Sequence, residues 1–126
     1  MLLSLFSGAG GLDLGFEDVG VDIGLAFDVS SDSVASYNHN RPDQKIAYVK
    51  DLRALTLADL DRLFGEEFRP DGIIGGPPCQ GFSKGNTNVI ARDPRNQLVQ
   101  VYARIVKMLN DRHPLSFFVF ENVPGI

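Results

Sequence analysis

The chain has 126 residues, a size that suits one domain with its own core. Apolar residues make up 44% and charged residues 22%, ordinary usage for a globular protein, which argues against both a disordered and a membrane-embedded chain. With 16 acidic residues against 12 basic ones the formal charge is -4, so this chain is not the main electrostatic anchor for a polyanion such as DNA. Its longest apolar stretches, such as residues 115–119 interrupted by Ser116, fall far short of a bilayer span. Met1 leads straight into LLSLF without a basic region or cleavage site, and the expected location is cytoplasmic. Cys79 is the single cysteine and has no internal disulfide partner, while His39 and His113 stand far apart, so no metal site is expected.

Short apolar runs alternate with helical patterns, the mark of βαβ units and a parallel sheet covered on both faces. A first strand at residues 2–6 runs into FSGAGGLDLGF, residues 6–16. There a loop with Gly8, Gly10 and Gly11 opens a helix at about 12–19. Such a loop lets a ligand approach the backbone, and the helix start offers unpaired amides to an anion. A plain turn remains the alternative. A dinucleotide fingerprint needs a third glycine where Asp13 stands, which disfavours a nicotinamide or flavin ligand. The second strand, 22–27, ends at Asp28, where an acidic residue meets ribose hydroxyls in this architecture; capping of the next helix, 31–37, is the other role open to it.

A third strand at 47–50 precedes a helix capped by Thr56 with Asp59 three residues on, burying Leu57, Leu60 and Leu63 or Phe64 before Gly65 ends it. The fourth strand, 72–75, leads into GGPPCQGFS. Its prolines hold the backbone stiffly and its glycines leave room for a flat ligand. A lone cysteine is more often a small buried hydrophobe, yet Cys79 sits among turn residues, where a thiolate can be exposed and held by backbone amides. Residues 81–88, GFSKGNTN, read as a loop. The helix at 96–110 carries a stripe of Leu98, Val101, Tyr102, Ile105, Val106 and Leu109, with Gln97, Gln100, Arg104 and Lys107 facing away, and Pro114 stops it. A fifth strand, 117–121, ends FFVFE. Glu121 in low-dielectric surroundings would hold a proton more tightly and donate it; solvation at a sheet edge is the alternative.

In the strand order 3-2-1-4-5, strands one and four are neighbours, and ligands lie beyond the carboxyl ends at that switch point. The glycine loop, Cys79 and Glu121 then converge on one crevice. Little chain follows the fifth strand, so a sheet edge is expected to need cover from elsewhere.

On FSGAGGLDLGF, GGPPCQGFS and ENV, in that order, the chain resembles the cytosine-5 DNA methyltransferases over essentially its whole length. The resemblance implies a doubly wound, mostly parallel, Rossmann-like α/β sheet of the S-adenosylmethionine-dependent type, truncated after the fifth strand. Residues 1–126 would form the N-terminal portion of the cofactor-binding and catalytic domain. It implies that Phe6, Ser7, Gly8, Gly10, Gly11 and Leu12 line the methionine and adenine parts of S-adenosylmethionine, that Asp28 takes the ribose, and that Val29 packs by the adenine. Asp51 and Leu52 would meet the adenine edge, with Pro77 also on the cofactor side. Pro78 and Cys79 match the catalytic dipeptide, and Glu121, Asn122 and Val123 the ENV motif.

By the same resemblance, Cys79 adds to carbon 6 of a flipped cytosine while Glu121 engages ring nitrogen 3 and the exocyclic amine. Carbon 5 then takes the methyl group and S-adenosylhomocysteine leaves. The loop at 81–88 resembles one that closes over the base. Double-stranded DNA is the implied substrate, with no metal and no membrane. The family's glutamine-and-arginine motif, target-recognition domain and closing helix are absent here, which implies a C-terminal half or second subunit as partner. Val29 stands where many members have an aromatic residue. Two rival readings are a non-catalytic cofactor-binding remnant acting as an interaction module, and an RNA (tRNA) cytosine-5 methyltransferase. Intact PPCQ and ENV argue against the remnant.

Overall fold

A computed structural model describes residues 1–78 and 97–122; Cys79, the loop expected at 81–88 and Val123 lie outside the described residues. The described elements are β1 (Leu2–Leu5), α1 (Gly11–Asp18), β2 (Ile23–Asp28), α2 (Ser31–His39), β3 (Ala47–Val49), α3 (Leu57–Phe64), β4 (Gly72–Gly75), α4 (Gln97–Arg112) and β5 (Phe117–Phe120). They form a sheet in the order β3-β2-β1-β4-β5, with every neighbouring pair parallel. This is the expected order, and β1 and β4 lie side by side at the switch point. A short 3-10 turn, Leu52–Ala54, was not expected; the Asp51 side chain caps it by accepting from the Arg53 amide.

Side chains leave the strands alternately to the two faces. Leu3, Leu5, Leu25, Phe27 and Ile73 meet α3 and α4 through Leu60, Val101, Tyr102, Ile105 and Leu109. Leu2, Ala26 and Ile74 meet the opposite layer through Val34 and Tyr37. Each large apolar side chain so enclosed stabilises the fold by about 1.5–3 kcal/mol. The ends of α3 follow its sequence: Thr56 and Asp59 form a reciprocal capping box, and Gly65 closes the helix with φ 92°.

Three features are set by tertiary packing. In α1, whose face the sequence left unassigned, Leu12 and Leu14 are 40% and 46% exposed while Asp13 is buried. Arg104 does not simply face away from the core. Its guanidinium donates to the carbonyls of Leu52 and Leu55, at 2.8 and 3.2 Å, tying α4 to the 3-10 turn. On β5, Phe117 and Phe118 are exposed, in keeping with the uncovered sheet edge expected after the fifth strand, since β5 is the end strand of the described sheet. Among the described residues, no helix is long and apolar enough to cross a membrane.

Candidate functional site

At the carboxyl end of β1 the chain turns sharply. Phe6 and Gly8 have φ of 53° and 56°, and Gly10 reaches φ 92° immediately before α1. The turn is held at several points, with the Ser7 amide donating to the Phe27 carbonyl at 3.0 Å and the Gly10 amide to the Ser7 carbonyl at 3.0 Å. Asp28 holds it from the neighbouring strand. One carboxylate oxygen accepts from the Gly8 amide and the other from the Ser30 amide, both at 2.8 Å. The cap of α2 is Ser30, whose Oγ accepts from the Ser33 amide at 3.2 Å, so helix capping is not the task of Asp28. A carboxylate has about four acceptor directions, so these two bonds leave Asp28, which lines the crevice, with capacity for more.

That crevice has a volume of about 350 Å³ and is lined by Phe6, Asp28, Val29, Lys50, Asp51, Leu52, Arg53, Gly76, Pro78 and Leu98. Six of these, Phe6, Asp28, Val29, Asp51, Leu52 and Pro78, are site residues expected from the sequence. Asp51 is held between the Arg53 guanidinium, at 3.0 and 2.7 Å, and the Arg53 amide. These hydrogen bonds bring its carboxyl down to about 2, keeping it a charged acceptor at the crevice wall. Sequence reasoning missed Lys50 and Arg53, although both flank Asp51, and Leu98, which it assigned only to the core stripe of α4. Lys50 pairs with Asp59 at 3.3 Å and so joins the crevice wall to the cap of α3.

A smaller recess of about 190 Å³ adjoins the glycine loop and is lined by Ser4, Leu5, Phe6, Ser7, Leu12, Asp13, Gly75, Gly76 and Glu121. Here the first and third motifs meet across the second. The Glu121 amide donates to the Gly75 carbonyl at 2.9 Å. Gly76 has no side chain for a reason: a Cβ there would run into Glu121 Oε2. Glu121 itself is exposed, which corrects the expected low-dielectric enclosure; with β5 an open edge in the described sheet, water reaches the strand end. Gly8, Gly10, Gly11 and Pro77 line neither cavity. Gly8 supplies an amide to Asp28, Gly10 is buried behind the loop, Gly11 begins α1 and Pro77 is buried beyond β4.

The family model for the C-5 cytosine-specific DNA methylases matches residues 1–126. The chain belongs to that family. It is 41% identical over 125 residues to the Type II methyltransferase M.FnuDI of Fusobacterium nucleatum, covering 99% of this chain and 33% of that one. It is 43% identical over 126 residues to M.XorII of Xanthomonas oryzae pv. oryzae, covering 98% and 28%. A crystal structure described as a DNA modification methyltransferase encoded within a prophage of E. coli superposes with a TM-score of 0.81 at 37% identity, covering 99% of this chain and 32% of that one. The α/β sheet of this C-5 methylase chain is thus the methyltransferase fold. The chain spans about a third of the length of these relatives.

Proposed function

We propose that this chain supplies the cofactor-binding and catalytic portion of an enzyme that methylates carbon 5 of cytosine in DNA. The observation that carries the reading is the meeting of three separate motifs at the β1/β4 switch point, with the glycine loop and Asp28 on one side and Gly76, Pro78 and Glu121 on the other. The relatives' description as Type II methyltransferases and the family's as C-5 cytosine-specific DNA methylases support it.

The residues present fit S-adenosylmethionine. A crevice of about 350 Å³ lies within the range of small-molecule sites, which starts near 300 Å³. Its acceptors suit a nucleoside, with Asp28 able to accept from a ribose diol and a charged Asp51, shared with Arg53, at the wall where an exocyclic amine would lie. When bound, S-adenosylmethionine supplies the electrophilic methyl group. Phe6 and Val29 offer apolar surface to the adenine, and the smaller recess beside Ser7, Leu12 and Glu121 would take the amino-acid end. Pro77 stiffens the approach to Pro78 and Cys79.

Carbon 5 of cytosine is a poor nucleophile. In this reading the Cys79 thiolate forms a bond to carbon 6, and Glu121 engages ring nitrogen 3 and the exocyclic amine, so that electron density moves to carbon 5. That carbon accepts the methyl group. Loss of its proton and departure of the Cys79 sulfur then restore the aromatic ring. The base must leave the duplex first, at a cost of roughly a few kcal/mol. A C-terminal portion, as in relatives about three times as long, is proposed to read the duplex and cover the edge of β5, where Phe117 and Phe118 are exposed.

The test is covalent trapping of the full-length protein on duplex DNA containing 5-fluorocytosine, which cannot lose its carbon 5 substituent. Wild type should give an adduct stable to denaturation, and Cys79→Ala none. An adduct formed equally by Cys79→Ala would refute the assignment.

A further inference from the structure

Asp13 is the one acidic side chain among the described residues that is fully buried, and the methylation chemistry gives it no task. It lies in the first turn of α1 with its two oxygens separately engaged. Ser4 Oγ, from within the apolar strand β1, donates to Oδ1 at 2.8 Å, and the Tyr37 hydroxyl, from α2, donates to Oδ2 at 2.5 Å. Arg41 lies over the Tyr37 ring, 3.8 Å from its centre, pairs with Glu17 of α1, and donates to the Gly10 carbonyl at 3.4 Å. Gly10 packs against this assembly, since a Cβ there would sit 2.7 Å from the Tyr37 ring and 2.9 Å from Arg41 Nη1.

Stability alone does not explain the arrangement. A buried carboxylate is costly even when paired, and an apolar residue of similar volume usually serves a core as well or better. Leucines flank Asp13 on both sides, and turning α1 by one residue, about 100°, would bury one of them instead. The network fixes the other rotation. It turns Leu12 out to line the recess beside Ser7 and Glu121, and it backs the glycine loop at Gly10.

We propose that Ser4, Asp13, Tyr37 and Arg41 form a positioning brace that sets the rotation of α1 and thereby the shape of the glycine loop for S-adenosylmethionine. None of the four is proposed to act on the reacting atoms. The inference rests on the cofactor reading given above. Tyr37→Phe removes one hydroxyl and leaves the ring that supports Gly10. Arg41→Lys keeps the charge and loses the fork. Asp13→Asn preserves the geometry, because its amide oxygen accepts from Tyr37 and its amide nitrogen donates to Ser4 Oγ.

The experiment is calorimetric titration of the full-length protein with S-adenosylhomocysteine, paired with amide hydrogen exchange of the ligand-free protein across residues 7–14. Tyr37→Phe and Arg41→Lys should each weaken binding by between about 2-fold and 30-fold, the span expected for residues that couple to a site without touching the ligand. Exchange should quicken in the loop and first turn of α1 while the strands keep their protection. Asp13→Asn, which lines the recess but keeps both hydrogen bonds, should lose clearly less affinity than Tyr37→Phe. If the first two variants melt at lower temperature yet bind as wild type does, the brace is only structural and the proposal fails. An Asp13→Asn variant as weak as Tyr37→Phe would also overturn it, because charge and not geometry would then be decisive. Absence of binding by wild type would overturn the cofactor reading and the brace together.

Discussion

Replacing Asp28 by alanine removes two backbone–carboxylate hydrogen bonds, from Gly8 and from Ser30, together with the acceptor proposed for the ribose. Hydrogen bonds to a charged partner are worth about 1.5–3 kcal/mol each. Asp28 is only half-buried at the crevice wall, so water replaces part of what is lost and the lower figure applies to each. The fold should lose about 3 kcal/mol, a fall in melting temperature on the order of 10 °C for a domain of this size. Cofactor affinity should fall further than loop loosening alone demands, by about 10- to 150-fold, the equivalent of one or more charge-assisted bonds to the diol. Calorimetric titration with S-adenosylhomocysteine at a temperature where the variant is still folded measures the second effect, and scanning calorimetry the first. A lower melting temperature with unchanged affinity would show that Asp28 only braces the loop, and the ribose assignment would be wrong.

Gly76→Ala places a methyl group against Glu121 Oε2 and 2.9 Å from the Glu121 carbonyl oxygen, so the strand end as well as the side chain must shift. Stability should fall by about 1–3 kcal/mol, the usual cost of forcing extra volume into a close contact, and kcat on the order of 100-fold, the usual penalty for displacing a reacting group by about 1 Å; an unchanged kcat at a temperature where the variant is folded would argue against a role for Glu121 in the reaction. Thr56→Ala removes the α3 cap and should cost about 1 kcal/mol in urea unfolding without altering cofactor affinity. Asp61 accepts a forked pair from Arg112 at 2.6 and 2.9 Å, and these hydrogen bonds hold its carboxyl below the ordinary carboxylate range. A depressed carboxyl contributes stability that is present above the unfolded value, about 4, and lost as pH falls through the lower folded value. Urea midpoints measured between pH 7 and pH 2.5 should therefore fall less steeply for Asp61→Asn than for wild type; parallel curves would remove this pair from the acid transition.

Local sequence was enough to specify the parallel sheet and its order. Apolar strands separated by helical repeats leave few topologies, and strand ends and helix caps answer to nearest neighbours, as Thr56, Asp59 and Gly65 do. The grouping of Phe6, Asp28, Val29, Asp51, Leu52 and Pro78 around one crevice was anticipated through the family resemblance, and the doubly wound sheet accounts for it physically, because the carboxyl ends of its strands share an edge. Chain-local patterns could not assign the contacts made between layers. The sequence of α1 left its inward face unassigned, and the position facing β1 and α2 was taken by Asp13, since Ser4 and Tyr37 offered donors there. Arg104 looked like a solvent residue until α4 was laid beside the Leu52 and Leu55 carbonyls, 52 and 49 residues earlier. Glu121 at the end of FFVFE looked enclosed, but burial depends on what covers the strand, and among the described residues β5 is an open edge. Periodicity and turn chemistry are properties of neighbouring residues and can be read from sequence. Which polar groups become buried together depends on partners brought close only when the layers close.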